Sequence, residues 1–211
     1  MDSPSVRIGK IVRRLEKAYP SPHTMLAFET PIQILVATIL SAQCTDERVN
    51  KLTPALFRKY PSVRAFAEAN RAALELDVRP TGFFRNKAKS IIGAACRIVD
   101  DFGGRVSDTM AELITLPGVA RKTANIVLSS VYGKAEGIAV DLHVKRLSGR
   151  LALSAETDPV KVERDLMALV PKRYWLEFNF LLVNHGRAVC PARKPKCPVC
   201  VVSDLCPSAV L

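Results

Sequence analysis

Four cysteines crowd the last part of the chain. Cys190, Cys197, Cys200 and Cys206 follow the spacing C-x6-C-x2-C-x5-C. Thiols set this close together in sequence are metal ligands or disulfide partners, and with no export signal ahead of them a metal is favoured. Structural zinc usually draws on two separated ligand pairs, whereas this array has one C-x2-C pair. Four thiolates suit an iron–sulfur cluster equally well. Spacing alone leaves both open. The remaining cysteines, Cys44 and Cys96, sit inside apolar helical patterns and read as core residues.

A second constellation is the segment LPGVARKTANIVL at residues 116–128. Pro117-Gly118 forces a tight turn, because proline fixes its own φ and glycine admits a positive one. A helix is expected to start near Val119. Its first backbone N–H groups have no internal partners, which makes that end an anion site that a DNA phosphate fits. Arg121 and Lys122 add positive charge beside it. The same residues would also build an ordinary corner between two helices with a solvated basic face. Asp141, in AVDLHVKR, stands at the start of a further helical pattern and suits an N-cap. His143 has no second ligand at useful spacing and reads as structural. His185 reads as support for the cysteine loop. Within that loop Arg193-Lys194-Pro195-Lys196 forms a basic prong suited to phosphates or, more plainly, to water.

These residues are carried by a chain of 211 residues, enough for one or two domains with a real core. Apolar residues make up 48% and charged residues 24%, which excludes long disorder and low complexity. Lysine and arginine number 31 against 20 acids, a formal charge of +11. A phosphate-rich partner is the first implication, a merely basic soluble protein the second. No apolar run reaches the length of a membrane span. The opening stretch MDSPSVRIGKIVRRLEK lacks an apolar core and cleavage site, and Asp2 and Glu16 argue against a transit peptide, so the cytoplasm is expected.

Helical periodicity dominates the elements that must position these groups. Residues 6–18 place Val6, Ile8, Ile11, Val12, Leu15 and Ala18 on one face, with Arg7, Lys10, Arg14 and Lys17 opposite. Residues 31–43 are nearly all apolar and predict a central buried helix, with Thr30 as N-cap and Pro31 as first helical residue. Residues 84–102 keep one stripe from Phe84 to Phe102, and Gly103-Gly104 ends it. Further helices fit 46–59, 63–69, 71–76, 108–114, 119–131, 142–151, 158–169 and 173–188. Alternating strand pairs are absent, so the fold class is all-α.

LPGVARKTANIVL resembles the helix-hairpin-helix motif of the endonuclease III family of DNA glycosylases. LSAQCTD at 40–46, TGFFRNKA at 81–88, AVDLHVKRLSGRL at 139–151 and HGRAVCPARKPKCPVCVVSDLC at 185–206 follow in that family's order, so the resemblance runs from about residue 6 to 206. It implies catalytic roles for Lys122 and Asp141. A glycosylase that also cuts the strand needs an amine nucleophile, neutral when it attacks the sugar C1′, and nearby positive charge and a helix N-terminus favour the neutral form. It needs a carboxylate to stabilise the cationic sugar and assist proton transfer. The resemblance also implies a [4Fe–4S] cluster on Cys190, Cys197, Cys200 and Cys206. It implies DNA contacts at Gln43, Phe83, Leu116, Gly118, Ala120, Arg121, Arg193, Lys194 and Lys196, with Gln43 and Phe83 on two loops that enter the duplex. Three residues depart from the family's usual pattern. Leu142 replaces a threonine after the aspartate, Ala120 replaces the second hairpin glycine, and Phe83 replaces an aliphatic wedge. Ala120 is expected to be tolerated if its position is already helical.

The expected organisation is a sequential helical domain at 25–134 and a cluster domain joining 1–24 to 135–211, with Lys122 and Asp141 facing one cleft. The expected function is removal of oxidised pyrimidines from duplex DNA and strand cleavage at the abasic site, by a monomer without membrane association. The rivals are a monofunctional mismatch glycosylase, which would lack Lys122, and a DNA-binding protein that keeps hairpin and cluster but has lost the Lys122–Asp141 pair.

Overall fold

The computed structural model describes residues 2–210, and among them every regular element is helical. In chain order the α-helices are α1 (Pro4–Ala18), α2 (Pro31–Leu40), α3 (Asp46–Lys59), α4 (Val63–Ala67), α5 (Arg71–Val78), α6 (Phe84–Phe102), α7 (Met110–Leu113), α8 (Arg121–Tyr132), α9 (Leu142–Arg150), α10 (Pro159–Leu169) and α11 (Trp175–Ala188). Short 3₁₀ turns lie at Arg79–Thr81, Lys172–Tyr174, Cys197–Val199 and Ser203–Leu205. The chain divides into two compact units. One is Thr24–Lys134; the other combines the chain up to His23 with the chain from Ala135 onward.

In the Thr24–Lys134 unit, α2 is the buried centre. Ile34, Leu35, Ala37 and Leu40 have no exposed surface, and the helix packs against α3, α6 and α8. Its sequence is apolar on every side because it is surrounded on every side. The long helix α6 carries the stripe Ala88, Ile91, Ala95 and Ile98, all buried. It ends where Gly103 turns left-handed and the Gly104 N–H donates to the Ile98 carbonyl at 2.9 Å. The left-handed glycine turns the chain back so that this N–H satisfies a carbonyl the helix end leaves open. In the other unit α9 packs against α10 and α11, and α1 against α10 and α11. Its core includes Ile11, Val12, Leu15, Val144, Leu147, Phe178, Leu181 and Leu182.

Several expectations are corrected. The helix over 31–43 stops at Leu40. The Ser41 hydroxyl donates back to the Thr38 carbonyl, and Gln43 takes a left-handed φ of 53°, which no helix continues through. Thr30 occupies the N-cap position without a capping bond; instead the Gln33 amide oxygen accepts from the Glu29 N–H at 2.6 Å. Arg7 belongs to the core rather than the solvated face, at 2% exposure, while Val6 is exposed. The apolar stripe of α1 runs through Ile8, Ile11, Val12 and Leu15, and Arg7 stands beside Ile11 on it. Its guanidinium is accommodated because it donates to the carbonyls of Asp2, Leu151 and Leu205. Cys44 and Cys96 are half-buried at the core's edge, not inside it.

The hairpin between α7 and α8 packs on α6. A side chain at Gly93 would meet Pro117 Cγ at 3.2 Å, and one at Gly118 would lie 2.6 Å from Ser90 Cβ and 2.7 Å from Ser90 Oγ. Gly118 also has a φ of 77°. Glycine is required there twice over, by conformation and by space. Gly118→Ala is therefore expected to cost on the order of 3 kcal/mol in urea unfolding, and Ser90→Gly added to it should recover the steric part. A loss of a few tenths would show that the hairpin yields.

Candidate functional site

The hairpin is built from Leu116 to Lys122. The Val119 N–H donates to the Leu116 carbonyl at 3.1 Å, closing the turn that Pro117-Gly118 makes. Leu116 and Val119 point into the core. Any DNA contact at Leu116 must therefore come from its backbone. Helix α8 begins at Arg121, two residues later than the apolar pattern suggests, with Ala120 at its N-cap. Ala120 is extended (φ −95°, ψ 171°), so it is not yet helical, and the alanine is harmless for another reason: a negative φ suits any residue. Alanine offers no side-chain acceptor, so no cap covers the first turn of α8. Lys122 is the second residue of that turn and is exposed; Arg121 beside it is half-buried.

Gln43 and Phe83 are brought into relation by a residue the sequence reading passed over. Both side chains are exposed, Phe83 at 62%, and both backbones are left-handed, with φ of 53° and 48°. Non-glycine residues hold that conformation only where their surroundings impose it. Lys87, one turn into α6, is buried, and its Nζ donates to the carbonyls of Leu40 and Thr81, each at 2.8 Å. These are the points from which the two loops depart. Burial pushes the Lys87 ammonium below the usual lysine range, with a smaller opposing pull from Cys44. In sequence Lys87 is one basic residue among Arg85, Lys87 and Lys89, and only its register on the buried stripe of α6 could have marked it.

Asp141 sits in the other unit, at the N-cap of α9. Its Oδ1 accepts from the Val144 N–H at 2.8 Å, which leaves Oδ2 for other work. Leu142, the next residue, is 80% exposed. The neighbouring His143 accepts from Arg146 Nη2 at Nδ1 (3.0 Å). Burial and the charges of Arg146 and Arg187 push its pKa down against the opposing pull of Asp141. The ring serves Arg146 as a hydrogen-bond acceptor.

The same helix holds the cysteine loop. Arg146 donates to the carbonyls of Gly186 (3.2 Å) and Cys190 (3.0 Å), and Arg150 to Cys190 Sγ (3.0 Å), Pro191 O (2.7 Å) and Ala192 O (2.8 Å). Sequence reasoning missed these arginines, which look like an ordinary basic face. All four cysteines, with Arg150 and His185, line one small cavity walled by Leu147, Leu151 and Val202. His185 bridges Tyr19 (3.0 Å) and Cys200 Sγ (3.3 Å) through its two ring nitrogens, and burial lowers its pKa. Burial pushes the Cys200 and Cys206 thiols up, and the neighbouring cysteines add to the rise. Ionising these thiols together needs a cation among them. Among the described residues the side chains do not converge as a single-ion site does. Four thiols around one small, largely apolar-walled cavity are a donor set suited to a soft metal centre. Arg193, Lys194 and Lys196 are exposed on the adjoining loop, with Lys194 left-handed at φ 53°. Lys196 Nζ reaches back to the Ala188 carbonyl at 3.1 Å.

Known proteins resemble this chain in sequence and fold. Residues 36–172 match the HhH-GPD superfamily of base excision DNA repair proteins. Endonuclease III of Synechocystis sp. is 55% identical over 209 residues, covering 99% of this chain and 95% of the relative. Endonuclease III of Escherichia coli (strain K12) is 36% identical over 197 residues, 93% of each chain. A trapped endonuclease III–DNA covalent intermediate superimposes with a TM-score of 0.93 at 37% identity, over 99% of this chain and 98% of that one. A thermostable thymine-DNA glycosylase shares the fold, with a TM-score of 0.88 at 24% identity over 99% of each chain. The chain thus has the HhH-GPD fold of base excision repair proteins. Within that superfamily it belongs to the endonuclease III family.

The Asp141 cap yields a stability prediction independent of chemistry. Asp141→Ala should cost about 1 kcal/mol, whereas Asp141→Asn, an equally good cap, should leave thermal unfolding nearly unchanged. Equal losses for the two would mean that the charge, rather than the cap, stabilises α9.

Proposed function

We propose that the chain removes oxidised pyrimidines from duplex DNA and cuts the strand at the abasic site, with Lys122 as nucleophile and Asp141 as the assisting carboxylate. The chain is a base excision DNA glycosylase with lyase activity, and DNA is its partner. A stacked base is out of reach of any side chain, so the damaged nucleotide swings out at a cost of a few kcal/mol. The Gln43 amide occupies the void and Phe83 wedges between base pairs. The hairpin amides, Gly118, Ala120, Arg121 and the prong Arg193, Lys194 and Lys196 hold phosphates.

Neutral Lys122 Nζ then attacks C1′. The bond from C1′ to the base breaks, its electrons leave with the base, and the base takes up a proton. Asp141 Oδ2 stabilises the positive charge developing on the sugar while Oδ1 keeps the helix cap. The sugar ring opens to a Schiff base on Lys122. That imine draws in the electrons of the C2′–H bond as the proton departs, and the C3′–O bond breaks to expel the 3′ phosphate. Water hydrolyses the imine and frees the lysine. The protein is read as a cytoplasmic monomer acting on chromosomal DNA; no helix among the described residues is long and apolar enough to cross a membrane.

The observation that carries this reading is the place of Lys122, exposed in an uncapped first helical turn beside Arg121, behind a corner held on α6. Borohydride trapping on abasic and thymine-glycol duplexes tests it. Lys122→Ala should abolish trapping while damaged-DNA binding survives, and undiminished trapping would move the nucleophile elsewhere.

The four cysteines are proposed to hold a [4Fe–4S] cluster, which supplies a structural link for the prong rather than a chemical step. The purified protein should be brown and contain about four iron atoms per chain. Stoichiometric zinc in protein made anaerobically with ample iron would reject the cluster.

A further inference from the structure

Lys87 fills a core position that an apolar side chain of similar length would fill more cheaply, since a buried charge loses its water. At 5% exposure its ammonium is matched by no carboxylate among the described residues; its hydrogen-bond partners are the carbonyls of Leu40 and Thr81. Leu40 is the last residue of α2, three before Gln43, and Thr81 closes the 3₁₀ turn two before Phe83. The flanking turns are closed locally: the Cys44 N–H donates to Ser41 O at 3.0 Å, and the Gly82 N–H to Arg79 O at 3.2 Å. Those bonds shape each loop separately, and Lys87 bonds both. From Lys87 itself the main chain runs back to Phe83, whose carbonyl accepts the Lys87 N–H at 3.1 Å. Lys87 is thus bonded to the Phe83 turn by its backbone and to both loop bases by its side chain.

We propose that Lys87 is a positioning residue that locks the Gln43 loop and the Phe83 loop into one rigid unit, so that amide and wedge enter the duplex together. The proposal rests on the reading of Gln43 and Phe83 as insertion residues. A methionine could fill the volume but could not bridge the carbonyls. Each loop would then be free to relax its left-handed residue on its own, and a wedge that moves independently of the void-filling amide opens the duplex less often. The defect should appear where opening is needed and fade where the duplex is already open.

The test compares single-turnover excision of thymine glycol in a fully paired duplex with excision of the same lesion in an unpaired bubble, well below the unfolding temperature of each variant. Lys87→Met should slow the paired reaction about tenfold or more and the bubble reaction by less than about threefold. Phe83→Ala and Gln43→Ala should each show the same selective loss. Adding Lys87→Met to Phe83→Ala should then cost far less than it costs alone, since contacts acting as one unit are not additive. Equal slowing on both substrates, no slowing on either, or fully additive losses would overturn the proposal, leaving Lys87 as an anchor of the core. If Phe83→Ala and Gln43→Ala lack the selective loss, the insertion reading itself fails and the proposal goes with it. If they show it and Lys87→Met does not, Lys87 alone is misassigned. Should Lys87→Met not fold, Lys87→Gln, whose amide reaches less far, is judged on the same two substrates by the same outcomes.

Discussion

A protein made of short helices must dispose of many backbone groups that no helix can satisfy internally, and the rest of this structure depends on how it does so. Each helix leaves N–H groups at its start and carbonyls at its end. At the starts, Thr45, Ser62, Asn70, Thr109, Asp141 and Asp158 supply side-chain oxygens. At the ends, Gly103 and Gly133 turn left-handed. Where an end is buried and no glycine is at hand, a buried cation takes the carbonyl: Lys87 at Leu40, Arg7 at Leu151 and Leu205. In the interior of a sheet neighbouring strands take such groups up, and only the edges need comparable devices.

The candidate chemistry grows out of the same accounting. Helix α8 starts at Arg121 behind Ala120, an N-cap residue that offers no capping oxygen, and Lys122 stands in that open turn. Asp141 does cap its helix, but with one carboxylate oxygen, so the second is not consumed. The two loops that carry Gln43 and Phe83 begin at carbonyls claimed by one ammonium. The loop ahead of the basic prong is tied by Arg150, whose guanidinium spans the sulfur of Cys190 and the carbonyls of Pro191 and Ala192. Left-handed residues other than glycine occur at Gln43, Phe83 and Lys194, all at proposed DNA contacts, besides Ser21 and Ala152. Strain of this kind is stored where the surrounding structure is stiff enough to hold it. Here that stiffness comes from the α2–α6 packing and from the cysteine loop.

Phe83 shows how sequence and structure divide the labour. Its ring is large and apolar, yet it is mostly exposed, and its position directly before α6 gives it an αL backbone that no pattern of apolar residues announces. The residue beside it, Phe84, packs against the core. Two adjacent phenylalanines thus have opposite fates, decided by which one lies on the stripe of the helix that follows.

What the sequence by itself determined is whatever repeats or punctuates. The period of 3.6 over 84–102, the apolar density of 31–40, the Pro117-Gly118 corner and the crowding of Cys190, Cys197, Cys200 and Cys206 each depend on neighbours along the chain. They were legible for that reason. What only the tertiary structure decided are the places where one residue meets another far away. Arg7 and Lys87 look like surface charges until the carbonyls of distant segments appear beside them. Arg146 and Arg150 look like a solvated face until the Cys190 loop lies across it. Gln43 falls within an apolar run and leaves the helix because Ser41 bonds back to Thr38 and the turn closes. Periodicity reports which face is buried; it carries no record of which distant backbone group needs a donor, and that need placed the charges of this core.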